Sequence, residues 1–235
     1  MNPCHFSDAR RDFLKKASLL AGATAATQFM PDSIQRALAI DAPAGSTYLD
    51  AEHVVFLMQE NRSFDHSYGT LKGVRGFNDP RTICNQGMPI WLQKNAQGKY
   101  YQPFHLDIEK TKSTWMGSLP HGWRDMVYAR NDGKMNTWLE AKKAGNPDYQ
   151  HMPLTLGYYN RQDLPFYYAF ADAFTVCDQH FCSSLTGTSA NRSYFWSGTV
   201  REEPRNPEST AHVDNGQINY RDVAWKTYPD RLQEA

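Results

Sequence analysis

Residues 53–66 read HVVFLMQENRSFDH, and this stretch decides how we interpret the fold. Its first part, His53 to Met58, is a short, continuous apolar run that contains two β-branched valines. Such a run, bounded by polar residues, is typical of a strand buried on both faces of a parallel sheet. Ser63 then stands where a helix N-cap is expected, with the helix running to about Leu71. A strand followed directly by a helix predicts an α/β domain.

Later segments fit the same α/β plan. Residues 164–171 place a proline where the first turn of a helix accepts one, and residues 174–177 (FTVC) are interpreted as a second buried strand. Residues 123–144 are predicted to form one helix that ends at Gly145. Residues 79–102 are polar and contain Pro, Gly and Asn, so they are predicted to be an excursion over the surface.

The last residues predict an incomplete domain. A helix is expected to begin at Tyr228, and the sequence stops inside it at Ala235 without a closing Gly or polar tail. Two recognisable strands also make too small a sheet for a layered α/β domain. We therefore expect residues 40–235 to be the amino-terminal portion of a larger domain.

The composition indicates a globular protein without a nucleic-acid partner. Hydrophobic residues make up 40% and charged residues 21% of the 235-residue chain, which argues against disorder. The formal net charge is zero, so the basic field that nucleic-acid-binding proteins use is absent from the sequence.

Residues 1–39 are predicted to be a twin-arginine export signal. Arg10 and Arg11 are followed by Phe-Leu-Lys and by an apolar, small-residue stretch over residues 17–29. That stretch is shorter than the ~20 strongly apolar residues of a membrane-spanning helix. The small residues in the sequence ALA at 37–39 predict cleavage after them. The expected partner is the twin-arginine machinery and the expected location is secreted or periplasmic; a surface helix with a chance arginine pair is the alternative.

Polar residues after the first predicted strand are candidate metal ligands. Glu60 and Asn61 offer a carboxylate and an amide carbonyl side by side, and hard divalent cations prefer such oxygen donors. They lie at the carboxyl end of the predicted strand, where ligands bind in open α/β sheets. The alternative is structural, with Asn61 ending the strand and Ser63 capping the next helix.

A second cluster, residues 185–192 (LTGTSANR), contains candidate catalytic residues. Thr188 stands at a predicted helix start, where exposed N–H groups attract a phosphate, and its hydroxyl needs a metal or base to become a nucleophile. Arg192 offers a planar donor fork for phosphoryl oxygens. His121, at a loop-to-helix entry, is a candidate general acid or anion donor. An ordinary helix cap and a structural histidine are the alternatives.

These motifs resemble the bacterial phosphatidylcholine-hydrolysing phospholipase C family, which also includes acid phosphatases. The resemblance is strongest at residues 60–65 (ENRSFD) and 73–77 (GVRGF), and residues 119–121, 133–135 and 171–178 follow in the expected order. It extends through essentially the whole chain. It implies an alkaline-phosphatase-like layered α/β/α domain, incomplete in this chain.

The resemblance also implies roles for the site residues. Glu60 and Asn61 correspond to metal ligands, and Thr188 corresponds to a nucleophile that contacts the same divalent ion, whose identity is unknown. The family completes its site with an acidic pair and a further histidine, for which residues 201–235 contain no substitute. One carboxylate and one amide are too few ligands to hold a divalent ion firmly.

The rest of the family's T-x-P-N-R motif is implied to bind substrate. Asn191 and Arg192 are in register with it, and Ala190 stands where proline is usual. His121 corresponds to a histidine that contacts the phosphoryl group. The implied activity is hydrolysis of phosphatidylcholine-type phospholipids, at a membrane surface, to diacylglycerol and a phosphorylated head group. A phosphomonoesterase and an inactive truncated fragment are the alternatives.

Overall fold

The computed structural model describes residues 30–111, 117–216 and 223–235. Both helices and short strands occur in these ranges, which confirms the predicted α/β character. The described helices are α1 (Asp32–Leu38), α2 (Phe64–Tyr68), α3 (Trp123–Arg130), α4 (Trp138–Ala141), α5 (Pro165–Ala173), α6 (Thr188–Ser197) and α7 (Tyr228–Glu234). Short 3₁₀ turns occupy Tyr48–Asp50, Asn131–Gly133, Pro147–Tyr149 and Leu154–Leu156. None of these described helices is long and apolar enough to cross a membrane.

The described strands are short and pair two by two. They are β1 (Cys84–Asn85), β2 (Met88–Pro89), β3 (Gln93–Lys94), β4 (Tyr100–Tyr101), β5 (Phe104–His105) and β6 (Gly157–Tyr158). The β1–β2 and β3–β4 pairs are antiparallel and lie in the polar stretch 79–102, whereas β5 and β6 are parallel. The layered α/β/α arrangement implied by the resemblance stays a prediction, because the described strands form only these three pairs.

The chain divides into two compact units. The first comprises Met1–Phe56 and Leu164–Val176, and in its described part α1 packs against α5 with Ile34 and Tyr168 buried. The second comprises Leu57–Asp163 and Cys177–Ala235. Its core contains Leu106, Ala144 and Leu154, with aromatic and aliphatic side chains packed around them. All the candidate metal, catalytic and substrate-binding residues belong to the second unit.

The two predicted buried strands are wrong as described. Residues 53–58 and 174–177 are not in strands, and the side chains of Val54, Val55 and Leu57 are 70%, 89% and 83% exposed. A parallel strand is held by ladder hydrogen bonds from neighbouring strands. In the described ranges such a ladder joins β5 to β6 instead. An apolar run alone does not create a strand where no ladder forms.

The helix predicted over residues 123–144 is broken into α3 and α4. Asn131 and Asp132 have φ angles of 42° and 52°, and Met135 has a φ of 53°. Left-handed residues do not continue a right-handed helix, and Asn and Asp tolerate this conformation better than most residues. The Asn-Asp-Gly sequence at 131–133 therefore ends α3 eight residues after it begins.

Predicted helix starts are confirmed at three places. The Ser63 hydroxyl accepts a hydrogen bond of 3.3 Å from the His66 backbone N–H and so caps α2. Pro165 occupies the first turn of α5. Tyr228 begins α7, which the Thr227 side chain caps in a capping box. Each start depends on a residue at the helix entrance, either a capping side chain or a proline, so the local sequence is sufficient to specify it.

Helix α2 is docked on strand β6, which fixes the carboxyl-terminal side of the Glu60 loop. The His66 Nδ1 donates to the Gly157 carbonyl at 2.8 Å, and the His66 carbonyl accepts from Tyr159 N–H at 2.8 Å. Burial lowers the pKa of His66, so the ring is held neutral. The ring also packs edge-on against the Tyr159 ring. His66 therefore has a structural role: it attaches α2, which follows the loop containing Glu60, to β6 and Tyr159.

Candidate functional site

A carboxylate and a hydroxyl that lie 128 residues apart in the sequence meet at the candidate site. The Thr188 hydroxyl donates a hydrogen bond to Glu60 Oε2. Thr188 is the first residue of α6, and Glu60 lies in the loop before α2. The structure thus joins the leading residues of the two motifs that the sequence analysis treated separately.

Arg192 completes this group on the other carboxylate oxygen. Its Nε and Nη2 atoms donate to Glu60 Oε1 at 3.1 and 2.5 Å. Thr188 and Arg192 are four residues apart on α6, so both project from one face of the helix. The Arg192 and Glu60 side chains are 40% and 30% exposed, which leaves the group accessible to a ligand. The direct ion pair was not predicted, since the sequence assigned Arg192 to a phosphate and Glu60 to a metal.

The contacts of Glu60 determine its charge state. The hydrogen bond from Thr188 and then those from Arg192 lower the pKa of Glu60 below its ordinary value of 4.5, and the nearby His121 adds a smaller effect in the same direction. Glu60 is therefore an ionised acceptor near neutral pH. A carboxylate with a lowered pKa is a good ligand for a cation but a weak base.

His121 lines a pocket and lies close enough to Glu60 to act on its charge. The His121 Nδ1 donates to the Leu119 carbonyl at 2.7 Å, so this nitrogen is protonated and the ring is oriented by the loop. The pocket has a volume of about 370 Å³ and is lined by residues 118–122, Gly145 and Asn215. The role of His121 as a general acid or phosphoryl contact stays a prediction.

Asn191 holds the loop before α6. Its Nδ2 group lies within hydrogen-bond distance of the carbonyls of Ser184, Thr186 and Gly187, at 3.0–3.3 Å. Its Oδ1 accepts from the Ser184 N–H at 3.2 Å. The amide therefore anchors the turn that presents Thr188. The predicted substrate-binding role of Asn191 stays a prediction.

The predicted metal ligands fit a divalent cation by kind but not by number. Glu60 and Thr188 supply oxygen donors in contact, but no hydrogen bond joins the Asn61 side chain to either of them in the described ranges. Nor do the described residues contain a cluster of three or more His, Cys, Asp or Glu side chains placed to hold a metal. Divalent cations usually take about six oxygen ligands, so this set is partial.

Asn215 is a site residue that the sequence analysis missed. Its Oδ1 accepts a hydrogen bond of 2.9 Å from the backbone N–H of Ser189, in the first turn of α6. No motif marks Asn215 in the sequence, where it lies in an Asp-Asn-Gly stretch that predicts only a turn. The predicted signal residues Arg10 and Arg11 lie outside the described residues.

These observations define an α/β protein with a hydroxyl–carboxylate–guanidinium site at the start of a helix. The chain belongs to the phosphoesterase family, whose model matches residues 51–235. This match confirms the resemblance noted in the sequence.

Relatives in two genera support the same assignment. The chain is 43% identical over 234 residues to a non-hemolytic phospholipase C of Pseudomonas aeruginosa, an alignment that covers 97% of this chain and 32% of the relative. It is 39% identical to a hemolytic phospholipase C of the same species, over 96% of this chain and 30% of the relative. It is 34% identical to phospholipase C A of Mycobacterium tuberculosis, over 97% of this chain and 44% of the relative. The chain thus spans between 30% and 44% of the length of these relatives.

Proposed function

We propose that the protein is a phosphoric diester hydrolase of the phospholipase C type. The observation that most supports this is the hydrogen bond from the Thr188 hydroxyl to Glu60, beside Arg192, in a family whose similar members are named phospholipase C. The proposed substrate is a phosphatidylcholine-type phospholipid. The proposed products are diacylglycerol and a phosphorylated head group.

The residues of the site have distinct tasks in the proposed reaction. The Thr188 oxygen attacks phosphorus, and the bond from phosphorus to the diacylglycerol oxygen breaks, which leaves a phosphothreonine that water then hydrolyses. The Thr188 hydroxyl donates to Glu60 Oε2 before attack, its proton passes to solvent water as the bond to phosphorus forms, and the Arg192 guanidinium neutralises charge on the phosphoryl oxygens. His121 is the proposed proton donor to the departing alkoxide.

A divalent cation is part of this proposal. Glu60, Thr188 and Asn61 would hold it, together with ligands outside this partial set. When bound, such a cation lowers the pKa of a coordinated hydroxyl and stabilises developing negative charge. Because a hydroxyl is a weak acid and the pKa of Glu60 is lowered, the carboxylate alone does not deprotonate Thr188.

Product analysis tests the proposed activity against the monoesterase alternative. The purified protein, with Ca²⁺, Mg²⁺, Mn²⁺ or Zn²⁺ supplied in turn, is incubated with phosphatidylcholine vesicles or with 4-nitrophenyl phosphate. Phosphorus NMR should show choline phosphate as the product from vesicles, at a higher rate than phosphate release from the aryl ester. Faster hydrolysis of the aryl ester would indicate a phosphomonoesterase, and no hydrolysis of either would indicate an inactive fragment.

We also propose that the protein is exported by the twin-arginine route and acts peripherally at a membrane surface. Changing Arg10 and Arg11 to lysine should leave folded protein in the cytoplasm, because the export machinery reads the arginine pair and not charge alone. Fractionation with immunoblotting measures this. Changing Lys15 and Lys16 to arginine is the control and should leave export intact. Normal export of the protein with both arginines replaced would show that another route is used.

A further inference from the structure

The helix that begins with Thr188 has no cap of its own. Gly187 occupies the N-cap position of α6 and offers no side-chain acceptor, and the first turn of α6 contains no acidic residue. The first N–H groups of a helix lack partners within the helix, and an N-cap side chain normally accepts from the second or third of them. The start of α6 therefore depends on a partner from elsewhere in the chain.

Asn215 supplies that partner from a distant loop. Its Oδ1 accepts from the N–H of Ser189, the second residue of α6, at 2.9 Å. This is the N–H that a local N-cap side chain would take. Asn215 lies 26 residues after Ser189 in the sequence, so it caps the helix through the tertiary structure.

The loop that presents Asn215 is tied down on both sides of α6. The His212 N–H donates to the Val200 carbonyl at 2.9 Å, close after the end of the helix. The buried Thr186 hydroxyl donates to the Val213 carbonyl, two residues before the helix begins. These contacts place residues 212–215 against the helix start without help from Asn215 itself.

The absence of a side chain at Gly187 leaves space for the Asn215 side chain. Its φ of −86° is open to any residue, so the backbone conformation does not require glycine there. A Cβ at Gly187 would lie 3.0, 3.2 and 3.3 Å from the Oδ1, Nδ2 and Cγ atoms of Asn215. A side chain at position 187 would thus crowd the Asn215 amide, which would have to shift by a few tenths of an ångström.

We propose that Asn215 is a positioning residue that holds the first turn of α6 so that the Thr188 hydroxyl stays on Glu60. Ser189 is the neighbour of Thr188, and Asn191 holds the loop that leads into the same turn. The two asparagines together restrain the residue that we propose as the nucleophile. This inference rests on the proposed function for its effect on turnover, but the capping contact is independent of it.

Two measurements on the natural protein with divalent metal supplied test the proposal. Asn215→Ala should lower kcat on phosphatidylcholine about tenfold with KM changed less than about twofold, because the attacking group is misplaced while binding is kept. It should also speed hydrogen exchange of the Ser189 amide severalfold. Asn215→Asp keeps an acceptor oxygen, so it should keep the slow hydrogen exchange of the Ser189 amide and most of kcat. Asn206→Ala, which removes another loop asparagine that accepts a backbone N–H, is the matched control.

A double-mutant cycle gives a second, sharper criterion. Gly187→Ala should reduce kcat in the unsubstituted protein but have little further effect in the Asn215→Ala background, since the clash is then gone. Unchanged Ser189 exchange in Asn215→Ala would overturn the proposal, and so would changed exchange with unchanged kcat. If the unsubstituted protein shows no turnover, the proposed function fails, while exchange of Ser189 still decides whether Asn215 holds the helix start.

Discussion

Replacing Thr188 by alanine is expected to reduce turnover of phosphatidylcholine by at least about a thousandfold, the scale of losing a catalytic nucleophile. Folding should be little affected, because the hydrogen bond that the hydroxyl makes among the described residues is to the partly exposed Glu60, and alanine is a good helix former. Initial rates on phosphatidylcholine vesicles and a thermal unfolding scan measure the two effects. The unfolding midpoint should stay within a few degrees of the unsubstituted protein.

The controls separate the loss of the nucleophile from a loss of structure. Thr188→Ser keeps a hydroxyl at the helix start and should retain measurable turnover. Ser197→Ala removes a hydroxyl at the far end of α6 and should leave the rate unchanged. If Thr188→Ala kept more than a few per cent of the activity, another group would have to attack phosphorus.

Glu60→Gln is expected to lower bound metal and activity together, the rate by about a hundredfold or more. A neutral amide is a weaker ligand for a hard cation than a carboxylate. The substitution also weakens the interaction with Arg192, whose two donors lie on Glu60 Oε1. Metal content by mass spectrometry and initial rates on the same samples measure both effects. Because the pKa of Glu60 is lowered, activity that needs its charge should persist below the ordinary carboxyl range and be lost only as the pH falls through that lowered pKa.

Glu140→Gln provides the matched control for this substitution. Glu140 is also a partly exposed carboxylate in an ion pair, with Lys143 at 2.5 Å, and it has no part in the proposed chemistry. It should change neither metal content nor rate. Loss of activity in Glu60→Gln with metal content unchanged would show that Glu60 acts on Thr188 and Arg192 and does not bind the ion.

The predictions that held for the fold are those that depend on short-range interactions. Ser63 caps α2 through the N–H of His66, three residues away, and Pro165 starts α5. The failed strand predictions needed distant partners: residues 53–58 have the composition of a buried strand but are described outside any strand. The helix predicted over residues 123–144 failed locally, where Asn131 and Asp132 adopt positive φ angles. A strand depends on its neighbours, whereas a helix cap is complete within one turn.

The sequence by itself determined the family, the helix starts and the residue types of the site. The ENRSFD motif at residues 60–65 and Thr188 with Asn191 and Arg192 were recognisable because adjacent residues form each motif. These features are local, so no knowledge of the folded chain was required to find them.

Only the tertiary structure decided which of these groups meet. The contact of Thr188 with Glu60 spans 128 residues, and the cap from Asn215 to Ser189 spans 26. Neither separation corresponds to the repeat of a helix or a strand, so no sequence pattern reveals it. Each contact forms when separate segments pack together. The same packing paired Arg192 with Glu60 and gave Gly187 its role. Local hydrogen bonding therefore specifies the parts of this site, and long-range packing specifies their arrangement.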